Sequence, residues 1–129
     1  GRLKVEMLTE NLHRIRPDIR IDTMATRLDA NNCAALFADC PLVVEGLDRQ
    51  ADKKMLIECL AIGERIIVSA CGIAGCGLEG IRTQRLGNCF VVGDFKSDCA
   101  QMAIFPHKVL AVACWMTEII QNIMSDNDK

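Results

Sequence analysis

The amino-acid sequence predicts an α/β domain built on a mostly parallel sheet with helices on both faces, ending in a β-hairpin and a long C-terminal helix. Leu42 to Leu47 and Ile66 to Ala70 are short apolar runs without alternation, as in parallel strands covered on both faces. Helix-period segments flank them, and helix and strand in succession is the pattern of crossover connections in a parallel sheet. Half of the 129 residues are apolar, which suits one packed core and is short for two domains.

Leu3 to Ile15 puts Val5, Leu8, Leu12 and Ile15 on one stripe with Glu6, Glu10 and Arg14 opposite, an amphipathic helix that Pro17 ends. Ile19, Ile21 and Thr23 alternate with Asp18, Arg20 and Asp22, so a strand with one wetter face is expected near a sheet edge. A short helix follows around Asn32 to Phe37, with Asp29 or Asn31 as cap. The run Leu42 to Leu47 is expected near the sheet centre. After Asp48, the positions Met55, Leu56, Cys59, Leu60 and Ile62 repeat at helical spacing, and Gly63 stands where a left-handed cap is expected. Ile66 to Ala70 is the next buried strand.

Beyond Cys71, Gly72, Gly75, Gly77 and Gly80 interrupt the chain and the crossover series stops. Ile81 to Arg85 and Cys89 to Val92, flanking Leu86, Gly87 and Asn88, suit a hairpin. Pro106 suits the first residue of a long helix through Met124, apolar over most of its circumference, which the sheet alone or the sheet with a second subunit would cover. The domain is expected over residues 1–124, with 125–129 as a polar tail.

Fifteen Lys and Arg against seventeen Asp and Glu give a formal charge of -2, so electrostatics supply no reason to expect nucleic acid or an anionic membrane as partner. The longest apolar run, Val109 to Met116, is far below the ~20 residues that cross a bilayer. A cytoplasmic protein is expected. Of eight Cys, Cys33, Cys59 and Cys114 fall in apolar helical patterns and Cys40, Cys71 and Cys89 in or beside strand-like runs, which reads most of them as small buried hydrophobes. Cys71 and Cys76, four residues apart between them and with no His nearby, do not form zinc-ligand spacing.

In open parallel sheets ligands bind beyond the carboxyl ends of the strands, where Asp48 stands. A carboxylate there can hold magnesium or a ribose hydroxyl; it can also cap the helix that starts near Arg49, and two oxygens allow both. Lys4, in the first turn of its helix, is at the end the helix dipole disfavours for a cation, and a solvated lysine is the bland account. The GxxGxG order of Gly72 to Gly77 is not the dinucleotide GxGxxG and no helix follows, so the segment through Gly80 reads as a flexible loop. His107, after Pro106 at a helix start, reads as a capping or packing residue.

Gly1 through Lys4-Val5-Glu6, Asn11-Leu12 and Ile15-Arg16-Pro17 resembles the helix after the ATP-binding strand in ThiF, MoeB and HesA proteins, relatives of ubiquitin-activating enzymes. The resemblance continues through Leu42-Val43-Val44-Glu45-Gly46-Leu47-Asp48, Ser69-Ala70-Cys71-Gly72-Ile73-Ala74-Gly75, and Ile81-Arg82-Thr83 to Val91-Val92-Gly93-Asp94. The last two stretches look most like the ThiF branch that activates the sulfur carrier ThiS for thiamine biosynthesis.

The resemblance implies a Rossmann-like sheet and a reaction in which a carrier protein's C-terminal carboxylate attacks the α-phosphate of ATP, pyrophosphate leaves and an acyl-adenylate forms. Lys4 matches the family's lysine, which offsets phosphate charge; Asp48 matches its aspartate, which holds Mg2+ and orients the triphosphate. ATP and Mg2+ are the implied cofactors, with no zinc, and a ThiS-like ubiquitin-like carrier and a second copy of the chain are the implied partners. The family's GxGGxGS turn after its first strand should lie before Gly1, so the first βα unit is expected to be missing and the chain to be a partial enzyme. No family cysteine nucleophile can be matched, and Cys99 to Phe105 replaces the usual glycine-rich approach to the last helix. A relative acting on the molybdopterin carrier or on a tRNA base, and a non-catalytic carrier-binding or dimerisation module, are the alternatives.

Overall fold

The computed structural model describes residues 1–127, and its elements follow the apolar periodicity closely. They are α1 (Lys4–Ile15), α2 (Cys33–Leu36), β1 (Leu42–Val44), α3 (Gln50–Leu60), β2 (Ile66–Ala70), β3 (Arg82–Leu86), β4 (Cys89–Gly93) and α4 (Pro106–Asn127). The strands form one sheet in the order β1-β2-β4-β3. β1, β2 and β4 are parallel, while β3 pairs antiparallel with β4.

Alternation along the strands sends side chains to two separate layers. Val43, Ile67, Cys89 and Val91 share a core cluster with Leu56 and Leu60 of α3 and with Cys33 of α2. Val68 and Val92, the intervening residues, are fully buried, and α4 packs on β2 and β4 with Val112 at 2 % exposure. A strand buried on both faces has no wet side, so β2 is apolar but for Ser69, whose buried hydroxyl is hydrogen-bonded.

Several sequence expectations are revised. Residues 19–23 form no strand, because a strand needs a hydrogen-bonded neighbour and none lies beside this segment among the described residues. β1 lies at the edge of the four-stranded sheet rather than near its centre, and Val44 is accordingly half-exposed. The apolar stripe of α1 is left uncovered, with Leu8 and Ile15 exposed and no residue of the helix buried. The hairpin is one residue shorter at its turn than expected: Leu86 pairs with Cys89 across Gly87 and Asn88, and Gly87 has the positive φ of 58° that a glycine-first hairpin turn requires. α4 continues past Met124 through Asn127, so the segment expected as a tail is partly helical; Asp128 and Lys129 lie outside the described residues.

Only Cys33 and Cys89 are buried, whereas Cys71, Cys76, Cys99 and Cys114 are exposed. Cys114 corrects the reading of the helical cysteines most clearly, because it lies on the outward side of α4, whose Leu110, Trp115 and Met124 are also exposed. No helix among the described residues is long and apolar enough to cross a membrane.

The exits of β2 and β4 cross at van der Waals limits. A Cβ on Gly93 would stand 1.7 Å from the Cys71 carbonyl oxygen, at a backbone φ of 153° that few side chains tolerate. Gly93→Ala is expected to destabilise the domain by more than about 4 kcal/mol, the range of the most severe single substitutions. Gly77→Ala, with nothing within 4 Å of the added methyl, should change little. Urea denaturation of the two variants checks the contrast.

Candidate functional site

Because β1, β2 and β4 run parallel, their carboxyl ends lie along one edge of the sheet. Asp48 follows β1 there, Cys71 and Gly72 follow β2, and Asp94 follows β4. The start of α4 is tied to the same edge, since His107 Nε2 donates to the Cys76 carbonyl at 2.7 Å and Lys108 Nζ to the Ala74 carbonyl at 2.6 Å. His107, expected to cap or pack, is instead exposed and fastens the loop through the Cys76 carbonyl.

Asp48 is exposed, and its carboxylate makes no hydrogen bond or ion pair among the described residues. The helix that follows is capped by the backbone of Arg49 without a side-chain hydrogen bond, so Asp48 does not serve as a cap. Arg49 instead turns back to Asp52 at 2.9 Å. Beside this turn a cleft of about 240 Å³ is lined by Thr26, Arg27, Leu28, Leu47, Arg49 and Asp52. The cleft sets Arg27 and the Arg49–Asp52 pair against Leu28 and Leu47, and Asp48 stands in the chain between its lining residues Leu47 and Arg49. Lys4 is exposed in the first turn of α1, and among the described residues no hydrogen bond or ion pair joins it to Asp48 or to any other group.

Two polar clusters escaped the sequence reading. Glu45, 1 % exposed, accepts hydrogen bonds from the Ser69 hydroxyl, the Leu47 N–H and the Lys53 ammonium, the last at 2.7 and 3.0 Å. Asp94 accepts from Lys108 Nζ at 2.6 Å, from the N–H groups of Lys96 and Ser97 at 2.8 Å each, and from the Ser97 hydroxyl at 3.1 Å. The signal for both was periodicity. Glu45, just past β1 where its N–H still bonds the Val68 carbonyl, is two residues from buried Val43, and Lys108 is four from buried Val112 on a helix, so each charge is in phase with the core and must be paired.

The Gly72 segment, expected as a flexible loop, is tied at several points. Gly75 forms a parallel bridge with Ile104, and a Cβ on Gly72 would meet Asp94 Oδ1 at 2.1 Å.

An open, mostly parallel sheet with covering helices on both faces and its polar groups gathered at one carboxyl edge defines a Rossmann-like α/β domain. The chain belongs to the ThiF family, which it matches over residues 1–125. No curated protein sequence matches it. The same fold is seen in the crystal structure of the E. coli tRNA N6-threonylcarbamoyladenosine dehydratase TcdA in complex with ATP. The TM-score is 0.70 at 14 % identity, over 97 % of this chain and 67 % of that one. This chain therefore spans about two thirds of the length of that protein.

Burial opposes ionisation of Asp94, yet the hydrogen bonds from Lys108, Ser97 and Lys96 outweigh it and hold the carboxyl well below the usual carboxylate range. With the folded value depressed, the stabilisation is complete above the unfolded value near ~3.9 and is lost as pH falls through the folded one. Asp94→Asn is expected to cost about 3–5 kcal/mol at pH 7, because Lys108 stays buried without its counter-charge. The difference from the parent protein should shrink below about pH 4. Lys108→Met should cost less, since Asp94 keeps its three remaining donors. Chemical denaturation at several pH values checks the order.

Proposed function

We propose that this chain forms part of an ATP-dependent enzyme that adenylates the C-terminal glycine of a ubiquitin-like sulfur carrier of the ThiS kind. Membership of the ThiF family supports adenylation. The observation that carries the site is the Asp48 carboxylate, free at the end of a parallel strand beside a cleft bearing Arg27 and Arg49.

Magnesium fits this donor set. It commonly takes one or two protein carboxylates and completes its shell with substrate phosphates and water. Among the described residues no group of three His, Cys, Asp or Glu converges on a metal position, so the remaining oxygens would come from the triphosphate and solvent. Bound there, Mg2+ with ATP supplies an electrophilic α-phosphate and a stabilised pyrophosphate leaving group. Asp48 would hold and orient that ion, while Lys4 would bring a cation to the phosphates, and Arg27 and Arg49 would offset charge at the cleft. The carrier's terminal carboxylate then attacks phosphorus, the bond to the β-phosphate oxygen breaks, and the carrier leaves as its acyl-adenylate.

A tRNA-directed relative is the competing reading, favoured by the fold shared with a tRNA-modifying dehydratase. Carrier-dependent against tRNA-dependent pyrophosphate release separates the two. The homodimer implied by the family resemblance would give the exposed Leu110, Trp115 and Met124 of α4 a cover, and mass in solution tests it.

In the full-length protein, Asp48→Ala is expected to lower carrier-dependent ATP–pyrophosphate exchange at least about 100-fold, and Lys4→Ala to lower it as well, with folding unchanged. Exchange unchanged in Asp48→Ala would remove this residue from the mechanism.

A further inference from the structure

Glu45 demands an account that stability does not provide. Burying a carboxylate is unfavourable unless it is fully paired, and well-packed apolar residues often replace buried ion pairs without loss of stability. Val43, two residues earlier in β1, fills the neighbouring core position with an aliphatic side chain. A carboxylate does what valine does not: it binds three elements at once. Ser69 reaches it from β2, Lys53 from the first turn of α3, and the Leu47 N–H from the residue that immediately precedes Asp48.

These bonds hold both sides of the turn that carries Asp48. The backbone continues the same restraint, since Glu45 N–H donates to the Val68 carbonyl at 2.8 Å and Lys53 N–H to the Arg49 carbonyl at 3.0 Å. A turn between strand and helix is commonly fixed by a capping side chain in the turn itself. Here the cap residue Arg49 makes no side-chain bond to the helix backbone, its guanidinium reaching only the exposed Asp52, and Asp48 makes no side-chain bond among the described residues. The restraint comes from inside the sheet, and the carboxylate at the turn's outer side is left free.

We infer that Glu45 is a positioning residue that aims Asp48 at its cation by tying the Leu47 amide and Lys53 to the end of the sheet, an inference that rests on the ligand role proposed for Asp48. Supporting groups behind a metal ligand commonly change affinity by about 10- to 100-fold.

The test uses the full-length protein with ATP as probe, with magnesium and with excess chelator, together with backbone amide exchange. In Glu45→Ala, exchange at the Leu47 amide, whose hydrogen bond Glu45 accepts, is expected to accelerate relative to β2, and the magnesium-dependent part of ATP affinity to fall about tenfold or more, with chelated ATP unaffected. Glu45→Gln, whose amide oxygen can still accept from Leu47, should retain most of the magnesium dependence. Lys53→Met unties only the α3 side and should lose part of it, which keeps the test available should Glu45→Ala fail to fold. Faster exchange spread equally over β1 and β2, or magnesium dependence that survives in both Glu45→Ala and Lys53→Met but not in Asp48→Ala, would overturn the role of Glu45 alone. Affinity indifferent to magnesium in the parent protein and in Asp48→Ala would overturn the ligand role of Asp48 and this inference with it.

Discussion

The Lys108–Asp94 pair is the constraint on which the carboxyl edge depends. Lys108 is 2 % exposed, and an ammonium so enclosed is tolerable only against a nearby counter-charge and further acceptors. Asp94 and the Ala74 carbonyl supply them from two separate loops. The helix that seals one face of the sheet is thereby locked in register to the segments after β2 and after β4. Displacing either loop would strand a buried charge, so three segments behave as one unit.

Glu45 performs a comparable task on the other face. The two carboxylates divide the edge between them: Asp94 joins β4 to α4, and Glu45 joins β1 and β2 to α3. Each accepts several hydrogen bonds, and no buried side-chain nitrogen or oxygen among the described residues lacks a partner. Asp48 lies in the turn that Glu45 restrains through Leu47 and makes no hydrogen bond or ion pair among the described residues. Where the surround of a group is already ordered, little order remains to be imposed when a ligand arrives.

What was legible in the sequence was whatever local periodicity encodes. β2 matches its apolar run at both ends, α3 follows its helical spacing, and Pro106 opens α4 as its fixed φ and missing N–H suggest. The alternation at residues 19–23 misled because alternation describes a face and does not supply a neighbour to pair with. Membership of the ThiF family was legible from short motifs, and so was the position of Asp48 beyond the carboxyl end of a parallel strand. The pairing of Lys108 with Asp94 was not, because its partners are brought together by chain reversal across the loop between β4 and α4. The exposure of Cys114 was missed for a related reason: a helix apolar on most sides does not declare which side meets the sheet.

The close crossing of the segments after β2 and β4 bears on how this edge can vary. Gly72 is hemmed in by Asp94, and Gly93 by the Cys71 carbonyl, so each glycine is held to its identity by an atom belonging to the other segment. Sequence change at one cannot be accommodated by its own neighbours and requires the two segments to part together. Random mutagenesis should therefore find this corner frozen, and among related chains the crossing would drift only by paired events.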